Sequence, residues 1–195
     1  MGSKSLAQTR PAAKCRLAST LGVEYLNFIP PRQEKLMPST KYEAERYDPS
    51  LAQCSTLSLS FDGSQLKMTG GKSNYIYPAV SGKKGTDGLF SYNAARQRTP
   101  SGGPIPEGLY WINPEEIWEL EWYDFWTSED GWGKYRVTIH PFTTTVTHGR
   151  GGFFIHGGKT PGSAGCIDLT TKISNFVNDL DKEGARRKCQ IHLTV

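Results

Sequence analysis

Residues Gly151–Thr171 read GGFFIHGGKTPGSAGCIDLTT. The apolar run Phe153–Ile155 has the character of a buried strand, which puts His156 at a strand end. Ile167 and Leu169 follow Cys166 and lead into a helix that starts near Thr170. There Ile173, Phe176, Val177 and Leu180 recur at helical spacing, and Gly184 is a natural stop. A strand end and a helix start can face each other across a short loop. His156 and Cys166 lie ten positions apart with mostly glycine and small residues between them.

Outward from this stretch the pattern is that of strands. In TLSLSFDGSQLKM, Leu57, Leu59 and Phe61 alternate with Ser58 and Ser60, and Asp62-Gly63 occupies a tight hairpin turn. SNYIYPAVSG is a short strand ended by Pro78. KYRVTIH sets Tyr135, Val137 and Ile139 against Arg136, Thr138 and His140. CQIHLTV closes the chain with Cys189, Ile191, Leu193 and Val195 on one face. Alternation with one polar face argues for antiparallel sheet. NPEEIWELEWYDFW is expected to be a second helix, with Asn113 as N-cap, Pro114 at the first helical position and Glu116 at the third. Its stripe of Trp118, Trp122, Phe125 and Trp126, flanked by Trp111 and Trp132, is expected to pack on the sheet. A sharper reading makes it a wall of the cleft. The fold class is mostly β with a few packed helices.

The chain has 195 residues and a net charge of +4, with 22% charged residues. That supports one ordinary domain, and residues 55–195 are assigned to it. Residues 1–54 are rich in proline and scattered charge, and read as an extended, partly ordered tail or wrapping arm. The mild charge excess fits an anionic surface such as a cell wall better than nucleic acid, since no basic stripe interleaved with aromatics occurs. No apolar run approaches the roughly 20 residues that span a bilayer. The N-terminus lacks the unbroken apolar core of a secretory signal. Of Cys15, Cys54, Cys166 and Cys189, no two have metal-site spacing, and with Cys166 free at most one disulfide forms.

A cysteine is a useful nucleophile only as its thiolate, and a nearby imidazole can take the proton. Gly157, Gly158, Gly162 and Gly165 permit unusual backbone angles and leave room for a substrate. The N–H groups of Ala164, Gly165 and Cys166 are candidates to hold an oxyanion. Ser163 orients the histidine or bonds the substrate. Asp168 caps the following helix or orients a catalytic partner. Against this stand a plain glycine turn around a buried cysteine, a metal held by His140, His148, His156 and Cys166, and a phosphate cradle. The eight-residue histidine spacing and the missing Gly-Lys-Ser/Thr ending weigh against the last two. The chemistry alone leaves the Cys–His reading and the plain turn evenly matched.

The ordered blocks Phe61-Asp62-Gly63, Leu66, Pro78-Ala79, Ser81-Gly82, Gly103-Pro104-Ile105-Pro106, Gly108, Tyr110, Gly149-Arg150, Gly152-Phe153, Ile155-His156-Gly157-Gly158, Gly162-Ser163, Gly165-Cys166-Ile167 and Leu169 resemble the L,D-transpeptidase (YkuD-like) superfamily. Within it they are most similar to the Tlde1-like type VI secretion effectors. The resemblance covers about residues 57–180. It implies a β-sandwich catalytic domain and attack by Cys166, activated by His156, on the stem tetrapeptides of peptidoglycan. Hydrolysis, D-amino acid exchange and cross-linking share one thioester and stay open. It implies no metal or cofactor, a cognate immunity protein, and delivery without a signal peptide into a target cell's periplasm. The interval between His156 and Cys166 is shorter than is usual in the superfamily. Asp168 stands where it usually has arginine, and Arg150 is expected to supply that charge to a substrate carboxylate. A cell-wall cysteine amidase is the rival enzyme, although such amidases place cysteine before histidine. A non-catalytic wall-binding module is the rival outside enzymology.

Overall fold

The structure is a computed structural model that describes residues 51–119 and 131–195. The N-terminal tail with Cys15, and Trp122, Phe125 and Trp126 of the aromatic stripe, lie outside the described residues. Among the described residues ten strands form one sheet: β1 (Gln53–Phe61), β2 (Gln65–Thr69), β3 (Tyr75–Pro78), β4 (Val80–Ser81), β5 (Leu109–Ile112), β6 (Ile117–Glu119), β7 (Tyr135–Pro141), β8 (Phe153–His156), β9 (Ile167–Asp168) and β10 (Gln190–Thr194). Helix α1 is Ala94–Gln97 and helix α2 is Ile173–Lys182. The mostly β expectation holds.

The path runs β3-β2-β1-β10-β5-β7-β8-β9-β4, with β6 also pairing to β7. Its two end strands, β3 and β4, are consecutive in the chain and separated only by Ala79, so the sheet curls until its ends meet. Closure of this kind leaves little exposed edge. The expected antiparallel pairing holds at most joints. Two joints are parallel: β1 with β10, and β8 with β9. Side-chain alternation is the same for both directions and could not tell them apart.

The hairpin expected at Asp62-Gly63 is present. Gly63 takes φ +90°, and the Asp62 carboxylate accepts the N–H groups of Ser64 and Gln65 at 3.0 and 2.8 Å. Leu57, Leu59 and Phe61 point into a core shared with Ile105, Tyr110, Val137, Ile155, Ile167 and Leu193. Helix α2 adds Ile173, Phe176, Val177 and Leu180, as its spacing foretold; burial of each stabilises by about 2 kcal/mol. Tyr77 packs edge-on to Phe176 and donates its hydroxyl to Asp179 at 2.8 Å, locking the helix to β3.

The helix expected from Asn113 is corrected. Asn113 does cap, accepting the Glu115 N–H, but only a single 3-10 turn over Pro114–Glu116. The chain then extends as β6, with Ile117, Trp118 and Glu119 opposite Val137, Arg136 and Tyr135. Pairing along the free edge of β7 overrides the local helix signal. Trp118 is therefore a strand residue. The polar face expected for β7 is also not solvated: Thr138 and His140 are buried. Trp111 stacks on His140 at 4.1 Å, and Glu116 accepts His140 Nε2 at 2.6 Å.

Candidate active site

Strand register assembles the site. Across β6, β7, β8 and β9, Trp118, Arg136, His156 and Asp168 form one row, while Ile117, Val137, Ile155 and Ile167 form the next, facing the core. Alternation puts Cys166, one residue before Ile167, on the face that carries Asp168 and His156. Cys166 and His156 are thus diagonal neighbours across a parallel joint, a separation that side chains can bridge.

Parallel neighbours ordinarily need a crossover of a dozen or more residues, usually helical. Here residues 157–166 cross over in a loop, and its bracing is dense. Asp168 accepts the N–H of Gly162 at 2.9 Å and that of Thr170 at 2.7 Å, tying the loop to the turn before α2. Asp168 therefore braces the backbone on both sides of β9, and its register also sets it beside His156. Ser163 donates its hydroxyl to the Cys166 carbonyl at 2.7 Å, and its N–H bonds the Gly82 carbonyl at 2.9 Å. Ser163 braces the loop backbone. Gly165 has φ +129°, and a Cβ there would stand 2.4 Å from Arg150 Nη2. Gly157 serves packing: a Cβ would meet Ile173 and the Thr170 carbonyl at 2.5 Å. Gly158 donates its N–H to Thr170 at 3.3 Å.

Arg150 turns inward. Its Nη1 donates to the carbonyls of Gln97 (2.6 Å) and Pro104 (2.5 Å), and its Nη2 to those of Gly103 (2.7 Å) and Ala164 (3.2 Å). One guanidinium thereby pins two separate segments, Gln97 and Gly103–Pro104, against the loop that leads to Cys166. Sequence reasoning foresaw the charge and not this clamp. Ser81 was passed over as a site residue. Fully buried, it donates to the Gly165 carbonyl at 3.4 Å and accepts the Ile105 N–H at 2.8 Å. Its place in the Ser81-Gly82 block was the available signal.

His156 is buried, and its Nδ1 lies 2.5 Å from the Gly157 carbonyl. A carbonyl only accepts, so the proton resides on Nδ1. Nε2 then presents a lone pair, and it has no partner among the described residues. The Trp132 ring stands 4.9 Å from the imidazole and 5.8 Å from Phe154, closing that side. Burial pulls the His156 pKa below the ordinary histidine value; the Gly157 carbonyl and Asp168 oppose the shift, and Arg136 adds to it. Burial also pushes the Cys166 thiol up to about 12, against the effects of the Phe154 N–H and the Arg150 charge. Asp168 is raised by burial, against its bonds from Gly162 and Thr170. Burial therefore disfavours the charged form of both the thiol and the imidazole.

Among the described residues Cys166 is the free cysteine, while Cys54 and Cys189 form a disulfide. No group of three or more His, Cys, Asp or Glu is placed there to hold a metal ion. His140 lies with Glu116 and Trp111, apart from the row that carries His156. No helix among the described residues is long and apolar enough to cross a membrane.

Residues 77–191, more than half of the chain, match the family model of the Tlde1 domain. The chain belongs to the Tlde1 domain family. No curated protein matches it. The Tlde1 match starts within β3 and ends within β10, so it takes in the whole β7–β8–β9 site and leaves β1 and β2 outside. Within the Tlde1 domain, His156, Cys166, Ser163, Gly165 and Asp168 all converge on the one crossover.

Proposed function

We propose that this Tlde1 domain is a cysteine-dependent acyl-transfer enzyme of the L,D-transpeptidase type, acting on peptidoglycan stem tetrapeptides. One observation carries the reading. His156 has its proton fixed on Nδ1 and an unpartnered Nε2 lone pair, on the sheet face that also carries the free Cys166.

Nε2 of His156 takes the Cys166 proton as Sγ bonds to the carbonyl carbon of the third stem residue. The N–H groups of Ala164 and Cys166 receive the oxyanion; that of Gly165 is engaged by Ser163 Oγ at 3.3 Å. The C–N bond to the fourth residue breaks, and His156 returns its proton to the departing amine. A thioester remains on Cys166. Attack by water then gives a shortened stem, and attack by an amine gives exchange or a cross-link. Membership of the Tlde1 family supports an effector delivered by a type VI secretion system into a rival's periplasm, with a cognate immunity protein. The catalytic domain, expected over residues 55–195, reaches back through β1 to Gln53 and Cys54, and the rest of the 1–54 segment precedes it.

The test is mass spectrometry of disaccharide-tetrapeptides incubated with the protein or its Cys166→Ala variant, with and without a free D-amino acid. The parent should remove or replace the terminal D-Ala, and the variant should lose at least about 10³-fold in rate. Cleavage elsewhere in the stem would instead assign an amidase. Binding to sacculi with no turnover would assign a wall-binding module.

A further inference from the structure

A groove of about 510 Å3 opens beside the nucleophile loop, lined by Lys83, Lys84, Gly131, Thr160, Pro161 and Gly162. Three of these residues belong to the crossover between His156 and Cys166. The lysines are joined to that crossover directly. They follow Gly82, whose carbonyl accepts the Ser163 N–H three residues before Cys166. The Lys83 backbone is fixed on both sides: its N–H donates to Gly102 at 2.9 Å and its carbonyl accepts from Arg96 at 2.8 Å. Lys84 Nζ sits 5.6 Å from the centre of the Phe90 ring, and that ring borders Gly162.

The charge pattern is uneven. Lys67, Lys134 and Lys182 each meet a carboxylate within 3 Å. Among the described residues neither Lys83 nor Lys84 has one; Lys72, Lys172 and Lys188 lack one as well, and of these five Lys83 and Lys84 line the groove. Arg150, the cation expected to meet a substrate carboxylate, has both terminal nitrogens on backbone carbonyls. Two unpaired ammonium groups in an open groove attract an anion and raise its local concentration.

We propose that this groove receives the terminal α-carboxylate of the stem peptide, with Lys83 and Lys84 as the cations that hold it. The assignment rests on the stem-peptide reading above and adds its carboxylate subsite. It places the fourth stem residue on the Lys83–Gly162 side of Cys166, so that the scissile bond lies over the thiol.

The experiment measures binding to full-length Cys166→Ala protein, which separates recognition from turnover. The ligands are a disaccharide-tetrapeptide, the same compound with a C-terminal carboxamide, and a stem whose third residue lacks a side-chain carboxylate. Each is titrated with and without Lys83→Met/Lys84→Met, and melting confirms the fold. Two partly exposed ion pairs predict roughly tenfold weaker binding of the acid by the double variant. The carboxamide should weaken binding by a similar factor in the lysine protein and by almost nothing in the double variant. Both effects should fade as salt is raised. Equal binding of the acid by the two proteins overturns the assignment. So does a carboxamide effect that survives the lysine changes, a dependence on the third residue's carboxylate instead, or no binding at all. Failure of the enzymatic reading looks different: the parent releases no D-Ala while the Cys166→Ala protein still distinguishes acid from amide.

Discussion

The β1–β10 seam and the β8–β9 seam are the two parallel joints of this sheet, and they are secured by opposite chemistry. At β1–β10, strands from the two ends of the domain meet with Gln53 opposite Gln190, and the adjacent Cys54 and Cys189 close the joint covalently across 135 residues. At β8–β9 the strands are joined by a ten-residue crossover, and the cysteine there stays a free thiol. That crossover is held by Asp168, Ser163, Ser81 and Arg150, all through hydrogen bonds to backbone. A covalent joint secures the fold where no chemistry is needed. A hydrogen-bonded joint leaves the Cys166 sulfur free for the chemistry proposed there.

Reducing the disulfide is the largest test of this contrast. A closed loop of that length restricts the unfolded chain, and its opening should cost up to about 5 kcal/mol of stability. Urea unfolding with and without dithiothreitol measures it. Activity per folded molecule should stay within about twofold, because the proposed mechanism uses Cys166 as a free thiol. If reduction leaves the unfolding midpoint unmoved, the covalent seam is not what secures the domain. If it abolishes activity in protein that is still folded, the two seams are not independent.

Arg150→Met probes the other seam. It removes four charge-assisted bonds and leaves carbonyls of Gln97, Gly103, Pro104 and Ala164 without that donor. The expected loss is about 2–3 kcal/mol of stability, with turnover falling further than substrate affinity because the loop that carries the oxyanion donors loosens. Steady-state kinetics separates the two. A rise in KM with kcat unchanged would return Arg150 to the substrate-binding role its charge suggested.

What the sequence made legible follows from how local each signal is. Helix α2 was readable because Ile173, Phe176, Val177 and Leu180 repeat within one segment, and the first hairpin because Asp62-Gly63 is turn chemistry. Strand β6 was not, since Asn113-Pro114 opens a 3-10 turn as readily as a helix and the deciding partner, β7, lies about twenty residues on. The Cys54–Cys189 pairing depended on two chain ends meeting side by side. His156 and Cys166 were named from type and spacing. The roles of Arg150 and Ser81 were hidden because their partners come from segments distant in sequence. Trp132 could be noted as aromatic, but its place against His156 depends on the segment before β7 reaching β8.

The smallest effect bears on how the hydrogen-bonded seam stores its reactivity. Burial disfavours the charged form of both members of the pair, lowering His156 and raising Cys166 to about 12. A preformed thiolate–imidazolium pair would react with iodoacetamide at a rate nearly constant from about pH 5 to 8. The neutral pair predicts otherwise: slow alkylation of Cys166 that keeps climbing through roughly pH 9–10, with no plateau near the ordinary thiol value. The sign for turnover follows from the same shift. His156 acts as base only when neutral, and a lowered pKa keeps it neutral further into acid. The acid limb of kcat/KM should therefore fall below the ordinary histidine value of 6.5. An acid limb above that value would overturn the lowered His156, and alkylation independent of pH from about 5 to 8 would show that the thiolate exists before substrate arrives. The buried, unpartnered Nε2 would then have to be read as the resting place of a second proton rather than as the base.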